Sequence, residues 1–319
     1  LGFDQIVSAE RTGNQYIFIK GFGETVTERP LIVAHENNTQ VFLNNNIGTP
    51  DFILNAGEYL ILDGNSFSPN DNLFVQTSKN VFAYQGVGGS TQANQELYFV
   101  PPLSCQTPKI INNIPFLDTI GGLDFTENSG VNLVTKTGAA LEFIINGFSY
   151  TLGTLPQGII VQGPFSVNGN SDYVTYKING LGGNVSVFST DELYLSYYGS
   201  SGAATYGGFY SGFTFRPEIT FNRLNISAEN CIPNINLTVN SLSPFDSYQW
   251  YFNDVEIDGA TNPSYTPTQP GYYYLKAAIS NCGIEELTSD KIPVSACPND
   301  MDNDGINDNY DIDNDKDGI

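Results

Sequence analysis

Val174-Thr-Tyr-Lys-Ile178 sets an apolar or aromatic side chain at every second position, the period of a strand with one buried face. Leu73-Phe-Val-Gln-Thr77 and Leu193-Tyr-Leu-Ser-Tyr197 repeat the pattern, and Gly- and Asn-rich turns such as Asn44-Asn-Asn46, Asn168-Gly-Asn170 and Gly182-Gly-Asn184 separate the runs. No segment sustains a helical stripe, so the chain is expected to be all-β, built as β-sandwich modules in tandem.

The order of signals is itself repeated. Thr39-Gln-Val-Phe-Leu-Asn44 leads through further strand signals to Val81-Phe-Ala-Tyr-Gln-Gly86, and Leu141-Glu-Phe-Ile-Ile-Asn146 leads likewise to Leu193-Tyr-Leu-Ser-Tyr-Tyr-Gly199. Two β modules of one topology are expected, over 1–104 and 105–222. The hinge is placed at Pro101-Pro102 and the loop to Pro108, because proline cannot donate to a central ladder.

Composition narrows the partners. The chain has 12 basic and 34 acidic residues, a net charge of −22, and no basic stripe; that field repels nucleic acid. Four cysteines with one Met and one His suit an oxidising compartment. No run approaches the roughly 18 apolar residues that span a bilayer. The expected location is extracellular, at the cell surface.

Glu96-Leu-Tyr-Phe-Val-Pro-Pro-Leu-Ser-Cys105, Asn113-Ile-Pro-Phe116 and Tyr197-Tyr-Gly-Ser-Ser-Gly-Ala-Ala-Thr-Tyr-Gly-Gly-Phe-Tyr-Ser-Gly-Phe213 resemble the IgGFc-binding-protein N-terminal-like domain of large surface proteins in gliding, type IX-secreting bacteria. The resemblance covers residues 1 to about 220. It implies a cell-surface, adhesin-like module rather than antibody binding, with the type IX translocon as partner during export and gliding motility or attachment as the process served. An unknown surface glycan or protein would be the ligand. Rigid aromatics among small residues make adaptable contact surfaces, so Tyr198, Tyr206 and Tyr210 are expected to form an adhesive face. Asp118-Thr119-Ile120, before a Gly-Gly turn, resembles the O-glycan acceptor of such bacteria and marks Thr119 for glycosylation.

From 223 to 296 the signals change. Tyr248-Gln-Trp-Tyr251 puts the one tryptophan on a central strand, and Gly271-Tyr-Tyr-Tyr-Leu275 puts Tyr273 at a tyrosine corner, a pattern similar to an Ig-like or PKD-like domain. Leu275 stands where antibody domains carry their inter-sheet cysteine. Cys231 and Cys282 border the strands and are expected to pair, leaving Cys105 and Cys297 to pair together, stay free or bond elsewhere.

Residues 297–319 carry aspartate at every second position before glycine, the way a loop wraps calcium. Cys297-Pro-Asn-Asp300 and the run that follows resemble a thrombospondin type 3 repeat, in which calcium forms the core of a stiff spacer. One ion is expected on Asp300, Asp302, Asp304, the Ile306 carbonyl, Asp308 and Asp311. A second is expected on Asp313, Asp315, Asp317 and the Ile319 carbonyl, completed by water or by sequence beyond Ile319.

Catalytic signatures are weak. His35 ends an apolar run, and the sequence has neither a GxSxG elbow nor an HExxH helix. Glu58, Asp63, Glu142 and Asp172 are carboxylates of the kind a glycosidase pairs, without a recognised signature around them. The expectation is a non-catalytic surface adhesin with a calcium-stiffened stalk; the alternative is a polysaccharide-binding or polysaccharide-degrading component.

Overall fold

The computed structural model describes residues 7–21, 28–86, 97–202, 204–211, 216–224, 231–280, 282, 286–297 and 312–313, with 127, 210 and 211 described by their backbone alone. Among these residues the structure is all-β, broken only by short 3-10 turns. It divides into two compact units, Leu1–Thr214 and Phe215–Ile319.

The first unit holds two modules. Module 1 contains β1 (Gly13–Ile19), β2 (Pro30–Ala34), β3 (Thr39–Leu43), β4 (Phe52–Leu54), β5 (Tyr59–Ile61), β6 (Asn72–Gln85) and β7 (Tyr98–Phe99). The long β6 serves both halves of the module. Up to Thr77 it pairs with β1 and β3, and from Val81 onward it pairs with β2 and β7, with Gly13 of β1 also reaching Val81 past a register shift. The runs β4-β3-β6-β1 and β5-β2-β6-β7 therefore close on one core, in which Tyr16, Phe18, Val41, Leu73 and Val75 of the first half meet Ile32, Ala34, Val81 and Ala83 of the second.

Module 2 contains β8 (Ile110–Ile114), the hairpin β9 (Thr119–Ile120) and β10 (Leu123–Asp124), β11 (Ser129–Lys136), β12 (Leu141–Ile145), β13 (Phe148–Thr151), β14 (Ile160–Ser166), β15 (Tyr173–Asn179), β16 (Val185–Ser189), β17 (Leu193–Ser201) and β18 (Ala204–Ser211). Its two sheets run β13-β12-β16-β8 and β14-β15-β11-β17-β18. Strand for strand this is the pairing of module 1: β3 and β12 each sit beside a hairpin partner and the first half of the crossing strand, and β2 and β11 sit beside the second half. In module 1 the crossing is continuous through β6, whereas in module 2 it breaks at Thr190–Glu192 into β16 and β17. Asn44 and Asn146, which close the two echoed runs, both turn with positive φ, 53° and 50°. Asparagine tolerates this left-handed backbone because its short polar side chain can bond locally. With the crossing strand counted once, the two sheets of module 2 hold one strand more, β14 on the outer edge of β15, and the β9–β10 hairpin lies outside them.

The modules pack on each other. Ile17, Ile19 and Phe74, on the outer face of the β1 half, meet Val134, Tyr173 and Tyr194 of the large module 2 sheet, with Val167 alongside. Lys177, almost wholly buried, is tied to Asp71 across the joint at 2.8 Å, and Asn72 donates to Thr175. Gly169 has φ +92°, and a Cβ there would meet the Asn44 carbonyl at 2.0 Å, so only glycine lets these loops approach so closely.

The second unit is an Ig-like sandwich of β19 (Glu218–Arg223), β20 (Ile235–Asn240), β21 (Ser247–Phe252), β22 (Val255–Glu256), β23 (Ser264–Tyr265), β24 (Gly271–Ala278), β25 (Leu287–Thr288) and β26 (Ile292–Val294). One sheet is β19-β20-β23; the other is β22-β21-β24-β25, with β26 also on β24. Trp250 is fully buried in the shared core, and its Nε1 donates to the Asn262 carbonyl at 2.9 Å. Tyr273 forms the corner, its hydroxyl donating to the Gln269 carbonyl at 2.8 Å. The sandwich begins earlier than the sequence reading at 223, because β19 pairs along its whole length with β20.

The expected Cys231–Cys282 pair is replaced by Cys231–Cys297, with Cα atoms 4.9 Å apart. The backbone brings these two residues together: Ile232 and Ala296 form a parallel bridge, Ile232 N donates to Ser295 O, and Cys297 N donates to Ile232 O. No cysteine of the chain is free. Cys297 thus clasps the sandwich.

Candidate functional site: an open sheet face on module 1

Tyr198 and Tyr206 do not form the expected adhesive face. Tyr198 is fully buried, against Tyr98 and Phe209, because the large sheet of module 2 is covered by its own core on one side and by module 1 on the other. Tyr206 packs into that core, and its hydroxyl donates to the Leu117 carbonyl. The side chain of Tyr210 lies outside the described residues.

Two more tyrosines of this sheet are fixed in the joint. Glu192, buried, accepts from the Tyr173 hydroxyl at 2.6 Å and the Tyr194 hydroxyl at 3.1 Å. Lys136 lies 3.7 Å from the same carboxylate and 4.1 Å from the centre of the Tyr173 ring. Burial first, then the neighbouring phenol and carboxylate, push Tyr173 well above the ordinary phenol range; burial and Glu192 do the same to Tyr194. Both stay protonated and act as donors that hold the joint.

The open surface lies on module 1, on the outer face of β5-β2-β6-β7. Register sets Ile61, Leu31, Tyr84 and Phe99 in one row and Tyr59, Val33 and Phe82 in the next. Tyr59 is 65% exposed and Ile61 51%, while Leu31, Val33, Phe82 and Tyr84 are half-buried. Phe99 closes the far end, its ring 5.6 Å from that of Tyr84. Exposed His35 lies at the other end, edge-on to Phe82 at 5.6 Å. Matching the modules through Val81 and Leu193 makes Asn132, Val134, Thr175, Lys177, Tyr194 and Ser196 the counterpart face. That counterpart is the surface module 2 presents to module 1. The same face is covered in one module and open in the other.

A polar cleft of about 570 Å³ runs along the joint between Ser68–Asn70 and Ser166–Ser171. Two of its amides are already engaged: Asn70 Nδ2 donates to the Ser166 carbonyl and hydroxyl across it, and Asn170 Oδ1 accepts from Asp172 N. The carboxylates weighed for catalysis are each held locally or isolated. Glu58 accepts from Asn55 N, Asp63 from Asn65 N and Glu142 from the Ser149 hydroxyl, whereas Asp172 is placed by its backbone in the loop before β15. Thr119 is exposed on the β9–β10 hairpin, whose turn glycines Gly121 and Gly122 have φ of 60° and 81°.

The expected calcium ligands other than Asp313 lie outside the described residues: Asp300, Asp302, Asp304, Ile306, Asp308, Asp311, Asp315, Asp317 and Ile319. Among the described residues there is no cluster of three metal-ligating side chains, and no helix is long and apolar enough to cross a membrane.

A family model described as IgGFc binding protein matches residues 1–199. The chain belongs to that family. The match takes in all of module 1, including the open face, and nearly all of module 2; β18 and the Ig-like unit lie beyond it. No curated protein matches the chain. Among solved structures, the crystal structure of the N-terminal four Ig domains of Dscam1 isoform 4.44 is similar at 10% identity, covering 89% of this chain and 73% of that one, with a TM-score of 0.22. That likeness is too low to argue from, and the Ig-like character of the second unit rests on its own strand order, Trp250 and Tyr273.

The open face was missed in the sequence although its signal was present. Leu31-Ile-Val-Ala34 and Val81-Phe-Ala-Tyr84 are apolar in both phases of the strand period, the composition of strands that have something to cover on either side.

Proposed function

We propose that this chain is a non-catalytic, extracellular binding protein of the bacterial cell surface, whose ligand docks on the open face of module 1. The observation that carries the reading is the aromatic and aliphatic surface of Tyr59, Ile61, Leu31, Val33, Phe82 and Tyr84. Exposed apolar area gathered on one rigid sheet marks an interaction site more often than scattered apolar residues do. Family membership supports a binding role. The family name points to the Fc region of antibodies as one probe, and nothing in this face is specific to it. Binding of the purified chain to producing cells, to Fc fragment and to a glycan array tests the reading. The Tyr59→Ser/Ile61→Ser variant should lose at least about tenfold in affinity for whichever surface the native chain binds, a loss of roughly 1.4 kcal/mol. Unchanged binding by a folded variant contradicts it.

The finer parts of the proposal rest on the sequence. The aspartate run supplies hard oxygen donors of the kind calcium takes, and its mutual repulsion is what the ion would relieve, stiffening a stalk; calorimetry on stripped chain extended past Ile319 should detect calcium uptake, and none would end that part. Export by the type IX translocon, serving gliding or attachment, follows from the resemblance; release unchanged in a translocon-deficient host contradicts it. An O-glycan on Thr119 follows from its exposed hairpin and acceptor-like neighbours, and an unmodified native peptide on intact-mass analysis removes it.

A further inference from the structure

We propose that the outer edge of β5 accepts an extended segment of a partner protein by strand addition, the segment carrying apolar side chains at alternate positions and a lysine or arginine at each end. The proposal rests on the reading of module 1 as a binding module and names the chemistry of its partner.

The duplicated fold shows what belongs on this edge. β15, the counterpart of β5, is paired on one side with β11 and on the other with β14. β5 is paired with β2, and among the described residues no strand of module 1 takes the position of β14. Ala34 N donates to Glu58 O and Leu62 N to Pro30 O, with Leu60 opposite Ile32 between them. In an antiparallel ladder, alternate residues bond the same neighbour. The N–H and C=O groups of Tyr59 and Ile61 therefore point outward, as a template for a further strand. In module 2, Val161 of β14 lies opposite Ile178 and packs against the core. The matching position beside Leu62 would take an apolar side chain of the incoming strand in the same way.

The flanks choose the occupant. Glu58 and Asp63 are exposed at the two ends of β5. A second copy paired antiparallel through Tyr59 and Ile61 would place Glu58 of each strand opposite Leu62 and next to Asp63 of the other, on opposite faces of the sheet, and like charges gathered at both ends of the seam oppose it. On a chain with a net charge of −22 this disfavours self-pairing and favours a cationic segment.

Anisotropy with two labelled peptides on the full chain, Lys-Val-Thr-Val-Thr-Val-Lys and Glu-Val-Thr-Val-Thr-Val-Glu, together with amide hydrogen exchange, tests the proposal. The lysine peptide should bind about tenfold or more tightly than the glutamate peptide and slow exchange at the Tyr59 and Ile61 amides. Ile61→Pro, which removes an outward donor and leaves the bonds to β2 in place, should abolish binding. Glu58→Lys/Asp63→Lys should reverse the peptide preference, and keeps the test decisive if the proline variant unfolds. Equal binding of both peptides, no binding of either, or protection away from β5 overturns the proposal. Protection at Tyr59 and Ile61 that grows with protein concentration and needs no peptide also overturns it, in favour of a second copy. If Tyr59→Ser/Ile61→Ser abolishes surface binding while no peptide protects β5, strand addition fails and the face reading stands. If the peptide binds at β5 while surface binding ignores that variant, the face reading fails instead.

Discussion

Asn132 is the residue where the repeat and the packing disagree most. Its module 1 counterpart is Leu31, yet Asn132 lies in the joint, 1% exposed, and neither its amide nitrogen nor its carbonyl oxygen bonds a described protein group. A buried amide without partners costs about 1–3 kcal/mol relative to one satisfied. Asn132→Leu should therefore raise the stability of the first unit by about 1 kcal/mol, read as a higher denaturant midpoint at unchanged slope; a lower midpoint would mean that the amide is bonded in solution. The phenols of Tyr173 and Tyr194 give a pH signature. Their folded values lie above the ordinary phenol value of about 10. Above that pH the unfolded chain releases protons that the folded chain retains, so stability is complete below about pH 10 and falls as the pH climbs past it. Urea unfolding on either side of pH 10 should show this loss, and Tyr173→Phe/Tyr194→Phe should flatten it.

β17 shows, among the elements, where sequence reading succeeds and where it stops. Period two located Leu193-Tyr-Leu-Ser-Tyr197 as a strand, and the echo with Val81-Phe-Ala-Tyr84 aligned it with the second half of β6, the equivalence the pairing displays. Which tyrosines are exposed was not legible, because that depends on a second module covering the outer face, a contact with no local pattern. The Trp250 and Tyr273 positions were legible because the corner and the central strand are set by neighbouring residues. The cysteine pairing was not, since Cys231 and Cys297 meet through a parallel bridge between distant segments. Closing a loop with a sequence separation of 66 should contribute roughly 4 kcal/mol by restricting the unfolded chain. Non-reducing peptide mapping should recover Cys231 with Cys297, and Cys231→Ser/Cys297→Ser should lower the unfolding midpoint of the second unit; a Cys231–Cys282 peptide would contradict the clasp.

For the whole molecule, a duplicated module uses one face twice. In module 2 that face is spent on joining the pair, through Val134, Tyr173 and Tyr194 and the Lys177–Asp71 bridge. In module 1 the same face has turned apolar and stands open. Binding is therefore expected on the open face of module 1. Hydroxyl-radical footprinting of the chain bound to the surface of producing cells, against the free chain, tests this most directly. Oxidation should fall at Tyr59, Ile61, Phe82 and Tyr84 and stay unchanged at Tyr272 and Val255 of the Ig-like unit. Protection confined to the Ig-like unit, with Tyr59 and Ile61 as reactive as in the free chain, would contradict it.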